Sequence, residues 1–220
     1  MTYRIPLVVA IGFTLCASCA QAFDVCGSLE NSYGPYDYRT QRSHLAIVEK
    51  FHLSQSIVML DKRRSANLGG NLDYTLRASP NHPVALSAMA NLSLREKTDR
   101  PPGASFSVDC YFDRAIRFAP TDGTVYMLYG NWLFKTGKRD KAIAEYQIAE
   151  KYAEDNANLH YNLGLVYFDV GDYDKALAQA HLAYDLGFQL QGLRKKLTDA
   201  GKWRDEAPKP AAAGAAPPKK

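Results

Sequence analysis

From Gly123 to Phe188, apolar and small residues recur at the three-and-four spacing of amphipathic helices, and polar turns interrupt them. Displacing Gly123–Asn156 by 34 residues superposes it on the stretch that begins at Ala157. Gly130 falls on Gly164, Gly137 on Gly171, Phe134 on Phe168, Ala142 on Ala176 and Ala149 on Ala183. The pair Asp140-Lys141 falls on Asp174-Lys175. Each unit reads as helix, Gly-centred turn, helix. A fixed period of this length marks a stacked array of identical supersecondary units. Gly130 and Gly164 stand inside the first helix of their units, where a glycine costs about 1 kcal/mol relative to alanine.

A looser version of the pattern precedes these units. "PVALSAMANLSLRE" begins with Pro83 in a first helical turn, where no hydrogen bond is lost, and "VDCYFDRAIRF" is a second helix closed by Ala119-Pro120. "RPPGASFS" between them is a loop holding an excess of six residues, since Pro80 and Pro120 mark unit ends 40 residues apart. This predicts a degenerate repeat over 83–122, with Met89-Ala90 at the expected Leu-Gly position. Upstream, "NLDYTLRASP" reads as the second helix of an incomplete unit. "SANLGGN" reads as a break, with "GGNLD" a turn. "QSIVMLDKRR" is expected to be a helix capped by Ser54, and "AIVEKFHL" a short strand or extended edge piece. Residues 23–43 lack either period and form an irregular arm. "QLQGLRKKLTDAGKW" is a last short helix, stopped near Gly201, that covers the open end of the stack. The remaining "APKPAAAGAAPPKK" has too few large apolar side chains to order itself. The fold class expected is all-α: a short α-solenoid with an irregular N-terminal arm and a C-terminal capping helix. Its divisions are 1–22, 23–82, 83–122, 123–156, 157–190, 191–206 and 207–220.

The formal net charge of +4 changes little. Arg4 near the start and Lys209, Lys219 and Lys220 near the end account for it, leaving residues 5–206 formally neutral. A nucleic-acid partner is not expected, because such binders carry a basic face on their folded part. The first 22 residues have Arg4, an apolar run from Ile5 to Leu15 and small residues ending in Ala20-Gln21-Ala22. This is the form of a secretory signal peptide cleaved after Ala22. Lipidation at Cys19 is the weaker reading, since Cys16-Ala17-Ser18 lacks the branched aliphatic of a lipobox. Cleavage leaves two cysteines, Cys26 and Cys110, and an even count in an exported chain suggests a disulfide. The competing reading makes Cys110 a buried small hydrophobe and Cys26 a free thiol. No further segment is expected to span a membrane.

The repeated residues resemble the tetratricopeptide repeat (TPR) family. Leu163-Gly164, Tyr167, Gly171-Asp172-Tyr173, Ala176 and Ala183 match its pattern in one unit, and Tyr129-Gly130, Gly137, Ala142, Tyr146 and Ala149 match in the preceding one. His160, Ala180 and Leu133 depart from it. The resemblance implies two helices that cross closely, with Gly130 and Gly164 admitting the second helix and the four alanines doing the same from the opposing side. The chain as a whole also resembles a group of exported proteins of this family, a likeness that brings no activity with it.

No catalytic motif, phosphate loop or metal-ligand spacing is present. His44, His52, His82, His160 and His181 lack partners at metal-binding intervals, and His160 reads as a packing residue in place of an aromatic. No cofactor and no enzymatic activity are expected. The resemblance implies a binding module whose concave groove takes a peptide or partner domain. Its groove positions fall on Ser87, Asn91, Met127, Asn131, Phe134, Tyr161, Asn162, Leu165 and Phe168. Some family members clamp a terminal carboxylate there, but Met127 replaces the expected lysine, so mixed apolar and amide recognition is the expectation. The alternative is a structural role in a cell-envelope assembly, through the outer face or the arm. An enzymatic role ranks behind both.

Overall fold

The computed structural model describes residues 26–205. The expected signal peptide (1–22) and low-complexity tail (207–220) lie outside the described residues. Within them the chain is all-helical. A 3-10 turn, Arg42–Leu45, leads into α1 (Ala46–His52), α2 (Gln55–Val58), α3 (Leu68–Ala78), α4 (Pro83–Glu96) and α5 (Val108–Phe118). Then come α6 (Gly123–Lys135), α7 (Arg139–Glu150), α8 (Ala157–Asp169), α9 (Tyr173–Asp185) and α10 (Gly192–Asp199). Helices α6, α8 and α9 start at side-chain caps: Asp122 accepts from the Thr124 N–H, Asn156 from Asn158 and Leu159, and Asp172 from Lys175.

The helices pair as α4/α5, α6/α7 and α8/α9 and stack into a solenoid around one continuous core. Leu86, Met89, Phe112, Leu133, Tyr146, Leu159 and Leu163 lie at its centre. The two mid-helix glycines serve different neighbours. A Cβ on Gly130 would stand 2.9–3.0 Å from the Tyr146 ring on α7, so the second helix of the unit does fill that gap. A Cβ on Gly164 would meet Leu193 Cδ2 of α10 first, at 2.5 Å, with Ala176 O and Gln179 Cβ of α9 behind it at 3.3 Å. The capping helix thus inserts Leu193 into the space the glycine leaves, and Leu193 and Leu197 are fully buried.

The two sites should therefore respond differently to alanine. Gly130→Ala gains about 1 kcal/mol of helix propensity. It loses more, roughly 1–3 kcal/mol, because the Tyr146 ring is enclosed and its hydroxyl is tied to Asn131. Gly164→Ala pushes on the end of a leucine in a terminal helix, so the strain is relieved by loosening α10. Thermal melts should show a drop for Gly130→Ala. Hydrogen exchange should rise over 192–199 for Gly164→Ala while α4–α7 stay protected. A Gly130→Ala protein as stable as the parent would refute this packing account.

Three expectations are corrected. "AIVEKFHL" is helix α1, not a strand: Leu45 and Val48 turn inward three residues apart, and Glu49 reaches buried His82 (3.2 Å). Tertiary contact overrides the β-propensity of Ile47 and Val48. The helix expected over 55–64 ends at Val58, because Leu60 takes a left-handed conformation (φ 54°) and Asp61 closes a turn on Ser56. The presumed break at "GGN" is the first turn of α3, capped by Asn67. Gly69 is needed there because the "RPPGAS" loop folds back on that turn, placing Pro102 O where a Cβ would be. The six extra residues therefore brace α3. Asp73 holds the same loop, accepting from Ser105 N (3.2 Å) and Tyr111 Oη (2.5 Å).

The N-terminal arm, Cys26–Gln41, has no secondary-structure ladder, yet it is fixed along the stack. Cys26 and Cys110 form a disulfide with Cα atoms 5.0 Å apart. Asn31 accepts from Arg77, the Tyr36 N–H donates to Ala78 O, and the Tyr38 N–H donates to Asn81 Oδ1. Asn81 also donates to Asp37 and Asp122, which joins the arm to the turns that end successive units. The Arg39 guanidinium, hydrogen-bonded to Asp37, holds that carboxyl down to about 2.

Candidate interaction groove

The first helices of the three pairs, α4, α6 and α8, carry all nine expected groove residues. The structure gathers some of them and separates others. Ser87 and Asn91 on α4 and Asn131 on α6 line one cavity together with Leu94, Leu128, Trp132 and Lys135. Ser87 and Asn91 also line a neighbouring cleft of about 340 Å³ with Val58, Pro83, Val84, Thr124 and Leu128. Met127 and Phe134 are half-buried against the core.

The α8 positions belong to different surroundings. Tyr161 stacks on Phe188 (4.1 Å between ring centroids), and a Cβ on Gly192 would touch its hydroxyl. Phe168 meets the Tyr173 ring edge-on, with the Lys196 ammonium 5.3 Å from its centroid. Leu165 packs against the core, and Asn162 is half-buried. Tyr161 and Phe168 are thus engaged by the α9–α10 connection and by α9 and α10, while the α4/α6 seam remains an open cleft.

Asn131 has a structural duty as well. Its Oδ1 accepts from the buried Tyr146 hydroxyl at 2.6 Å, leaving the amide nitrogen without a partner. An alanine there strands the hydroxyl, which costs about 1–3 kcal/mol. Asn91 accepts only a long bond from Lys135 (3.4 Å), which makes it the better position for a probe.

Sequence reasoning missed Leu128, Lys135 and Lys97 of this seam. Lys135 follows Asn131 by four residues and so shares its helix face, a signal available from spacing alone. Lys97 was not legible. It ends α4 in a left-handed conformation (φ 53°) that swings it beside the end of α6. There a cleft of about 450 Å³ is lined by Leu94, Lys97, Asp99, Asp109, Trp132, Lys135 and Lys138, among others. Asp109 is already engaged, accepting from Tyr129 Oη (2.8 Å) and Lys138 Nζ (3.3 Å). Burial, with the bond to Asp109 second, pushes the Tyr129 phenol above its ordinary range.

The histidines are structural. His160 is buried, with Nδ1 2.7 Å from Gln179 Oε1 and Nε2 2.7 Å from Glu154 O, as expected of a packing residue. His82 caps α4 and contacts Glu49, and burial pulls its pKa below the usual imidazole value. Among the described residues no group of three or more His, Cys, Asp or Glu side chains is placed to hold a metal.

Residues 130–171, from the second half of α6 to the turn after α8, match the family model of the TPR repeat. The chain carries tetratricopeptide repeats. The match lies within 123–188, the stretch in which the 34-residue period is clearest. Proteins built of TPR repeats are in general scaffolds for protein–protein interaction rather than enzymes. No curated protein matches the chain. No helix among the described residues is long and apolar enough to cross a membrane.

Proposed function

We propose that this TPR protein is an exported scaffold that holds a segment of a partner protein in the groove along α4 and α6. The observation that carries the reading is the open α4/α6 seam, where apolar side chains meet the Ser87 hydroxyl and the amide nitrogens of Asn91 and Asn131, whose internal bonds are made through the oxygens. The leader-like pattern over residues 1–22 and the disulfide support an exported setting, periplasmic or extracellular after cleavage near Ala22.

A second reading, a structural part of an envelope assembly, rests on the exposed outer face and on the arm. A photo-crosslinking amino acid separates the two. It is placed in turn at Asn91 in the seam, Lys141 on α7 and Glu30 in the arm, the last two both exposed. Crosslinks to one partner from position 91, and none from 141 or 30, are expected. Crosslinks from 141 or 30 alone would favour the assembly reading.

A further inference from the structure

The three clefts along α4 and α6 adjoin through shared walls and form a channel-like row. The first shares Ser87, Asn91 and Leu128 with the second, and the second shares Leu94, Trp132 and Lys135 with the third. Both helices run from the first cleft to the third, so the channel has a chemical direction. At the N-terminal end of the helices its walls are Val58, Pro83, Val84 and Leu128. Ser87, Asn91 and Asn131 follow in the middle. At the C-terminal end stand Lys97, Lys135 and Lys138.

The cationic end has a simpler explanation to weigh. Lysines are favourable at helix C-termini, where the helix dipole is negative. That accounts for a lysine at each helix end. It does not account for three lysines lining one cleft, where a left-handed Lys97 is required to complete the set. Lys138 is occupied by Asp109. The Lys97 ammonium has no ion-pair or hydrogen-bond partner among the described residues, and that of Lys135 has only the long contact to Asn91. Against them the cleft offers one carboxylate outside any ion pair, Asp99. Trp132 lines both the middle and the cationic clefts, is 3% exposed, and its indole N–H has no acceptor. Two ammonium groups outside any ion pair favour an acceptor carrying negative charge.

We propose that the partner segment is extended and two-part: apolar where it lies between Val58, Val84 and Leu128, and acidic where it reaches Lys97, Lys135 and Trp132. Deepening the groove reading, this assignment rests on it. The fourteen residues of α4 span about 21 Å, which an extended chain crosses in about six residues. A segment of that length touches both ends of the channel at once. Serine and asparagine between them meet its backbone amides without selecting side chains.

The test uses the full disulfide-bonded chain and labelled eight-residue peptides blocked at both termini. Each has two leucines, a Ser-Gly-Ser spacer and three glutamates. Both block orders are made, with a matching pair carrying glutamine for glutamate. One glutamate peptide should bind roughly three- to ten-fold more tightly than its glutamine counterpart, a preference that shrinks with added salt. Lys97→Glu with Lys135→Glu should abolish that preference, and Asp99→Asn should enlarge it. These side chains are exposed, so circular dichroism and melting should be unchanged. Equal binding of glutamate and glutamine peptides, or no binding up to about 1 mM, would overturn the acidic assignment. A partner crosslinked from position 91 would in either case leave the groove reading standing, and absence of that crosslink alone counts against the groove.

Discussion

Cys110→Ser should lower the melting temperature of the oxidised protein by roughly 10 °C. The bond ties residues 84 apart in sequence. In the chain-entropy account a loop of that size stabilises by about 4.5 kcal/mol, with less realised in practice. In a domain of this size each kcal/mol moves the midpoint by about 2–4 °C. The loss should be largest here because the arm makes no helix or strand hydrogen bonds: besides the disulfide it is held by side-chain and isolated backbone bonds to Arg77, Ala78, Asn81, Arg114 and Arg117. Cys26→Ser should match Cys110→Ser, and the double substitution should cost no more than either, since all three remove one bond. A thiol reductant should reproduce the shift in the parent and do nothing to the variants. A parent and Cys110→Ser melting within a degree or two of each other would show that other contacts hold the arm.

The reach of sequence reasoning followed the physical origin of each feature. Helices α4 to α9 were legible because each has a glycine or proline beside one end or the other and an apolar face, and all but α7 start at a side-chain cap. Their 34-residue recurrence then revealed how they stack. Helix α1 was illegible because what makes it a helix lies elsewhere, in the surfaces that bury Leu45 and Val48. The Gly69-Gly70 pair looked like a turn because its reason is a loop more than thirty residues later in the chain. The expected groove positions fall on the first helices of the pairs, but their accessibility was not legible. Tyr161 and Phe168 sit where the repeat pattern puts groove residues, yet Phe188 and the capping helix engage them. No local pattern could reveal that Lys97 would turn left-handed and join Lys135 at one cleft.

Arg114→Leu is the second substitution expected to have a large effect, on the order of 3–4 kcal/mol. Arg114 is 2% exposed and has no carboxylate partner within ion-pair distance. Burial, with the like charge of Arg117 second, pulls its pKa below the ordinary guanidinium value. One terminal nitrogen instead donates to three arm carbonyls, those of Cys26 (3.0 Å), Gly27 (3.3 Å) and Ser28 (2.5 Å). The guanidinium carbon lies over the Phe106 ring, 4.5 Å from its centre. The chain thus neutralises a buried cation with backbone dipoles and an aromatic face, and all three carbonyls belong to the segment the disulfide pins. Leucine leaves the Cys26 and Ser28 carbonyls without this donor, Gly27 O keeping only Arg117, and opens a gap against Phe106. Lysine restores the charge but neither the fork nor the stacking, so Arg114→Lys should recover only part of the loss. The disulfide holds the carbonyls in place for Arg114, so the two devices should be coupled. In the Cys110→Ser background, Arg114→Leu should cost less than in the parent, with a coupling energy of about 1–3 kcal/mol in a double-mutant cycle. Hydrogen exchange locates the effect: the Tyr36 and Tyr38 amides, bonded to Ala78 O and Asn81 Oδ1, should lose protection first, while α6 to α9 keep theirs. Strictly additive costs, or a loss of protection that starts in α8, would mean that Arg114 and the disulfide do not act on a common strap.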